Sequence, residues 1–558
     1  MILTSLASRT GNLRGYWAWL SAFVMGAGCI LAFAPFHFLP VLPVCLCVTV
    51  WLLDGCASPT PRQTARRTLA VSWAFGAGFF IAGCHWTLNA FVIVFDEYRW
   101  LFIFPLFFML VALPAFFVAA CLTARLFFWQ SGPGRILALA SLFTLADWVR
   151  GHVVFNGFPW NLLGNSLTAV PPWAQLASLV GVYGLTFLCV LFALTPALFA
   201  DGRGVPYRTG RLTRWIATPL LIMMAAGAWV WGAHHIKAVT PPTEDSLAVR
   251  MVQPNFSQEY KKNRDNIVEM ANSLLRQSFF PGTHPDLDSG GGPDDGSNGD
   301  SNGDAKQPTP PVVIWPETAL PVYMEREPTL LKRLATYLPE GGRLLTGSAR
   351  LNAGDPLGRS SNSLLVINDR GDIETFYDKR FLVPLGEYLP LRGLMRRLGV
   401  DALAWRGGYA EGTGPPVLPL GGLPDVGVLI CYESIFTGDI LQAGGRPEWL
   451  LNISNDAWFG DFMGPWQHFD HAVLRTIEEG LPMVRVANTG ISALIDPYGR
   501  VRAMLGVNRR GNLDVRLPAP LPPTLFSRWG DIPALTISLL VLLLLAGTAK
   551  FTRPKTRP

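Results

Sequence analysis

Val426-Gly-Val-Leu-Ile430-Cys431-Tyr432-Glu433-Ser434 is the stretch from which this chain is read. Its first five residues form an apolar run short enough for a buried strand, and the polar residues after Cys431 end that strand and open a helix. A sulfur at a strand end, with helix N-terminal amides beside it to favour the thiolate, sits where a nucleophile is wanted. The other fate of a free cysteine is to pack as a small hydrophobe. Chemistry requires partners from elsewhere in the chain: a group to take a proton and a cation or amide to hold an oxyanion.

Two upstream apolar runs end in such groups. Val312-Val-Ile-Trp-Pro-Glu317 closes on a carboxylate, and Tyr377-Asp-Lys379 is followed by Pro384-Leu-Gly386-Glu387-Tyr-Leu-Pro390. Glu317, Lys379 and Cys431 together meet the needs of a thiol acyl transfer.

These three segments, in this order, resemble the Glu-Lys-Cys signature of the nitrilase (carbon-nitrogen hydrolase) superfamily. With Gly386-Glu387-Tyr-Leu-Pro390, Asn455-Asp-Ala-Trp-Phe-Gly460 and flanking apolar helices, the chain resembles the membrane-anchored branch, the apolipoprotein N-acyltransferase family, over nearly its whole length. The resemblance implies a four-layer α-β-β-α sandwich fused to a multi-span helical domain. It also implies the roles: Glu317 accepts and returns a proton, Lys379 stabilises the oxyanion, and Cys431 carries the acyl group as a thioester. Glu387 is expected to orient Lys379 or share its proton, while Tyr432 and Glu433 shape substrate entry. Trp458 and Phe459 line an acyl pocket or pack. The implied donor is a membrane phospholipid and the implied acceptor the α-amine of a diacylglyceryl-cysteine apolipoprotein, with no cofactor.

Composition agrees with a partly membrane-embedded chain. Of 558 residues, 50% are hydrophobic and only 15% charged, too apolar a balance for an ordinary soluble enzyme. Against the roughly 20 residues a bilayer requires, eight stretches qualify: 16–34, 38–54, 69–94, 101–123, 135–150, 172–200, 214–233 and 532–549. Residues 1–233 thus read as a membrane domain of seven helices, 234–531 as the catalytic domain, and 532–558 as a last span with its tail. Arginines and lysines fall in alternate links (Arg62, Arg66 and Arg67; Arg125 and Arg135; Arg203 to Arg214) and at both ends of the chain. By the positive-inside rule, both termini are cytoplasmic and the catalytic domain faces the periplasm of a bacterial inner membrane. The net charge of +6 sits largely in these links, so no nucleic-acid partner is implied.

Seven of the eight cysteines lie in or beside the first six spans, which leaves Cys431 solitary and rules out a disulfide within the exported domain. No Cys-x-x-Cys or His-Glu-x-x-His spacing argues for a metal. Residues 283–310, rich in Asp, Gly, Ser and Pro, read as a disordered insertion, since they offer too little apolar surface to offset ordering entropy. Residues 391–414 mix Leu394, Met395, Leu398 and Trp405 with four arginines and suit an interfacial lid. The chain is expected to act as a monomer. Two other functions are open to it: a membrane-anchored amidase that passes the acyl group to water, and a non-catalytic scaffold.

Overall fold

The computed structural model describes residues 2–94, 102–129, 132–153, 157–200, 211–236, 242–280, 310–384, 386–388, 397, 408–414, 416–438 and 445–552. Nearly all of the 283–310 insertion and most of the 391–414 lid fall outside these residues. The chain divides into two units: residues 1–237, 462–479 and 523–558 form one, and residues 238–461 and 480–522 the other.

The first unit is helical. Three helices are long and apolar enough to cross a membrane, Pro61–Cys84, Ile103–Phe128 and Trp215–His235; Tyr16–Ala32, Val41–Asp54, Ala177–Ala193 and Ile532–Gly547 are shorter apolar helices. The expected span 69–94 is interrupted: its helix begins at Pro61, capped by Thr60, and stops at Cys84 before a separate helix, Thr87–Val94. The expected span 172–200 also breaks, because Gly181 takes a left-handed φ of +63° inside Ala177–Ala193. Close helix packing rests on small residues. A Cβ on Gly26 would sit 1.9 Å from the Phe75 carbonyl oxygen, and one on Gly78 would sit 2.0 Å from that of Phe23, so these two helices cross backbone to backbone.

Charges inside this unit are paired. The Arg135 guanidinium, at the start of helix Pro133–His152, meets Asp54 at 2.6 Å with both side chains fully buried. Trp129 Nε1 donates to the same carboxylate, and Arg135 also donates to the Ala197 carbonyl at 2.9 Å. At the other end of the helix, Arg150 pairs with Asp147 and donates to the carbonyls of Phe158 and Trp160. Helix Met463–Glu479, which follows a strand of the second unit in sequence, is also bonded into the first unit. Gln467 Oε1 accepts from the indole N–H groups of Trp86 and Trp160, Asp470 accepts from Thr168, and Glu478 accepts from the Val182 backbone N–H.

The second unit holds two six-stranded sheets. In chain order the strands are β1 (Ala248–Gln253), β2 (Val312–Ile314), β3 (Arg343–Leu351), β4 (Ser360–Asn368), β5 (Ile373–Asp378), β6 (Val417–Leu418), β7 (Val426–Ile430), β8 (Trp449–Ser454), β9 (Met483–Ala487), β10 (Ser492–Ile495), β11 (Val501–Leu505) and β12 (Gly511–Arg516). The sheet orders are β12-β1-β2-β3-β4-β5 and β11-β10-β9-β8-β7-β6. In each, three strands run parallel (β1 to β3, and β7 to β9), and antiparallel strands flank them.

Alternation along the strands sorts side chains into layers. Val312, Ile314, Leu364 and Val366 join Val428, Ile430, Leu451, Ile453 and Val484 in one core between the sheets. Val313, Leu344, Leu365 and Ile367 point the other way, onto Met270, Leu274 and Leu334 of helices Ile267–Phe279 and Pro328–Ala335. The central strands are buried on both faces, hence their unbroken apolar runs. The apolar runs that lead to Glu317 and Cys431 are strands β2 and β7. β5, with its alternating exposure, and β11, largely exposed, lie at sheet edges and lack that signature. Asn368–Gly371 and Asp496–Gly499 turn the antiparallel pairs β4–β5 and β10–β11 as hairpin chemistry expects.

Replacing Arg135 by Met leaves Asp54 buried without its cation. Thermal unfolding in detergent should show a loss of about 3–5 kcal/mol, and Asp54→Leu combined with Arg135→Met should recover much of it.

Candidate active site

Glu317, Lys379 and Cys431 follow the C-terminal ends of β2, β5 and β7, three strands drawn from both sheets. All three are buried: relative exposure is 6% for Glu317, 1% for Lys379 and 4% for Cys431. The Lys379 ammonium lies 3.5 Å from Glu317 Oε1 and 2.9 Å from Glu387 Oε2. The Asn362 side-chain N–H₂ on β4 donates to Glu317 Oε1 and to Glu387 Oε1, both at 2.8 Å. Glu387 Oε2 accepts from the Val383 backbone N–H, which closes a five-residue loop after Lys379. Asn362 was not legible as a site residue; it sits within the polar run Ser360-Ser-Asn-Ser363, and only strand pairing brings it to the carboxylates.

Backbone geometry places the nucleophile. Cys431 has φ +52°, a left-handed conformation that costs an L-residue energy and turns the chain sharply off β7 into the short 3₁₀ helix Cys431–Ile435. Glu433 holds this turn. Its carboxylate accepts from the Ile430 N–H at 2.7 Å, the Tyr377 hydroxyl at 2.8 Å, and the N–H groups of Arg380 at 2.7 Å and Phe381 at 3.2 Å. Glu433 thereby ties the Cys431 strand end to the Lys379 strand end. It is a buried tie between the two strand ends. Tyr432 is buried as well, edge-on to Phe436, which stacks on Phe381. Trp458 and Phe459 are half-buried, and Phe459 packs against the core between the sheets.

Electrostatics bears on the expected thiolate. Burial, the largest influence, pushes the Cys431 thiol well above its ordinary range, and the Glu317 charge adds to the push while Lys379 opposes it. Burial thus works against the thiolate at this strand end, and the short 3₁₀ helix lies at the same turn. For Lys379, burial works against the ammonium, but the charges of Glu387 and Glu317 outweigh it and hold its pKa above the ordinary lysine value. Tyr409, a further residue missed in the sequence, has its phenol raised by burial and then by Glu387 and Glu317, and so faces the same cluster. A buried ammonium, two glutamates and a thiol in one cluster suit proton transfer coupled to nucleophilic attack.

Residues 25–195 match the family model for the apolipoprotein N-acyltransferase N-terminal domain, and residues 248–519 match that for carbon-nitrogen hydrolase. The chain is 39% identical to an apolipoprotein N-acyltransferase of Bradyrhizobium diazoefficiens over 536 residues, 95% of each chain. It is 36% identical to one of Rhodopseudomonas palustris, again over 95% of each chain. Against one of Brucella melitensis the identity is 34%, over 98% of this chain and 97% of the relative.

Glu433→Gln presents an amide N–H₂ to a ring of donors. It should cost about 1–3 kcal/mol in thermal stability and slow the alkylation of Cys431 by iodoacetamide, followed by mass spectrometry.

Proposed function

Because the chain belongs to the apolipoprotein N-acyltransferase family, we propose that it moves a fatty acyl chain from a membrane phospholipid to the N-terminal α-amine of diacylglyceryl-cysteine apolipoproteins through a thioester on Cys431. The family makes it an acyltransferase of lipoprotein biosynthesis. The observation that carries the mechanism is the convergence of Glu317 and Lys379, 3.5 Å apart, in the electrostatic surroundings of the Cys431 thiol.

In the first half-reaction Glu317 takes the Cys431 proton as the sulfur attacks the ester carbonyl of the phospholipid. The oxyanion is met by the Lys379 ammonium. When the tetrahedral intermediate collapses, Glu317 gives the proton to the departing alkoxide, a lysophospholipid leaves, and the acyl thioester remains. In the second, the lipoprotein amine attacks the thioester carbonyl and loses a proton to Glu317. Collapse forms the amide and expels the sulfur, which regains the proton. Splitting the transfer at a covalent intermediate lets two lipid substrates use one site in turn.

Glu387 and Asn362 position the pair: Glu387 neutralises and aims Lys379, and Asn362 fixes Glu317 between its partners. The tie through Glu433 supports a fixed relation between sulfur and ammonium. The three long apolar helices, the shorter ones and the alternation of basic links support an eight-span chain in the inner membrane with its catalytic part on the periplasmic side. The chain is read as a monomer.

Mixing the purified protein with phosphatidylethanolamine should add an acyl mass to Cys431, and Cys431→Ser should abolish it. Glu317→Ala and Lys379→Ala should each slow loading about a hundredfold or more. Chasing the loaded enzyme with a diacylated lipopeptide should place the acyl chain on the peptide amine; release as free fatty acid, with the lipopeptide unmodified, would instead make the chain a hydrolase.

A further inference from the structure

Lys261 is a buried lysine outside the three motifs, only 6% exposed, on the short helix Gln258–Lys262. Its neighbour Lys262 is exposed, so the chain turns one of two adjacent ammonium groups inward. Lys261 Nζ donates to the Thr318 carbonyl oxygen at 2.6 Å, and among the described residues no carboxylate pairs with it directly. Burial lowers this ammonium to about 8, and the one charge opposing that shift is Glu317. An ammonium buried against a neutral carbonyl is an expensive arrangement.

The carbonyl it holds is in an unusual place. Thr318, immediately after Glu317, has φ +45°, a left-handed backbone that a β-branched residue rarely adopts. On the β3 side the turn is pressed against Gly347, where a Cβ would lie 2.5 Å from Glu317 Cα and 2.6 Å from Thr318 N. The Ala319 N–H donates to the Gly347 carbonyl at 3.1 Å. Lys261 adds a second hold, through the Thr318 carbonyl. The groups around Glu317 are then Lys379 after β5, Asn362 on β4, Cys431 after β7, Tyr409, and Lys261, with Glu387 joined through Asn362.

We propose that Lys261 is a positioning residue for acyl transfer: its ammonium clamps the left-handed turn at Thr318, which aims the Glu317 carboxylate, and sets a positive charge beside the group that takes the Cys431 proton. The proposal rests on Glu317 being the proton acceptor. Lys261 touches no reacting atom; it acts through the residue it holds.

The test is the rate of acyl loading on Cys431 from phosphatidylethanolamine vesicles, measured against pH, for full-length wild type, Lys261→Met, Lys261→Arg and Glu317→Gln. Lys261→Met removes the donor and the charge. Its rate should fall about ten- to a hundredfold, the scale of misplacing one acid–base group. Its acid limb should move to higher pH, because the variant loses the cation whose charge is coupled to the Glu317 side chain. Lys261→Arg, which keeps the charge, should restore the limb toward wild type. A Lys261→Met enzyme with an unmoved acid limb overturns the proposal, whether its rate is normal or falls only with its thermal stability. Should Lys261→Met fail to fold, it is combined with Thr318→Gly, which relieves the left-handed strain; the limb shift is expected there against Thr318→Gly alone, and its absence is equally fatal. Loss of loading in Glu317→Gln with a wild-type profile in Lys261→Met sinks only the Lys261 role, whereas normal loading in Glu317→Gln sinks the reading of Glu317 and the proposal with it.

Discussion

A buried ammonium between two carboxylates organises this catalytic unit. Lys379 is almost wholly out of water, and its charge needs the carboxylates of Glu317 and Glu387 beside it. That requirement constrains much else. The two glutamates must reach one point from separate strand ends, their remaining oxygen lone pairs must be satisfied, and the loop carrying Glu387 must close on itself. Asn362 and the Val383 N–H meet the second demand with donors at 2.8 Å. Removing any member leaves an unpaired charge in a low dielectric, so the cluster stands or falls as a unit.

The same burial decides the chemistry of the sulfur. A cysteine at a strand end beside helix amides suggests a low-pKa thiolate, whereas desolvation and Glu317 push the Cys431 thiol up and Lys379 opposes them. In the proposed reaction the proton passes to Glu317 as the carbonyl is attacked.

The chain passes between its two units four times, and helix Met463–Glu479 shows why the boundaries are not sequential. It lies between β8 and β9, a parallel pair that needs a crossover. Its polar side chains nonetheless find their partners on Trp86, Trp160, Thr168 and the Val182 N–H of the helical unit. An amphipathic period marks such a helix as having a face to bury, and says nothing about which neighbour receives it.

Much of the protein was legible in one dimension because burial leaves a local record. Central strands covered on both faces must be apolar throughout, so Val312–Ile314, Val426–Ile430 and Trp449–Ile453 stood out; edge strands β5 and β11 bury little and did not. Glu317, Lys379 and Cys431 were visible because each stands where an apolar run stops. Interruption of the expected spans at Cys84 and Gly181, the tie through Glu433, the bridging Asn362 and the inward turn of Lys261 left no such mark. Each depends on distances between residues far apart in the chain, and on the cost of leaving a buried polar group unpaired, which only the folded arrangement sets. Sequence alone determined which chemical groups are available and on which elements they lie; tertiary structure decided their ionisation and their partners, because both follow from desolvation and proximity, which residue order does not carry.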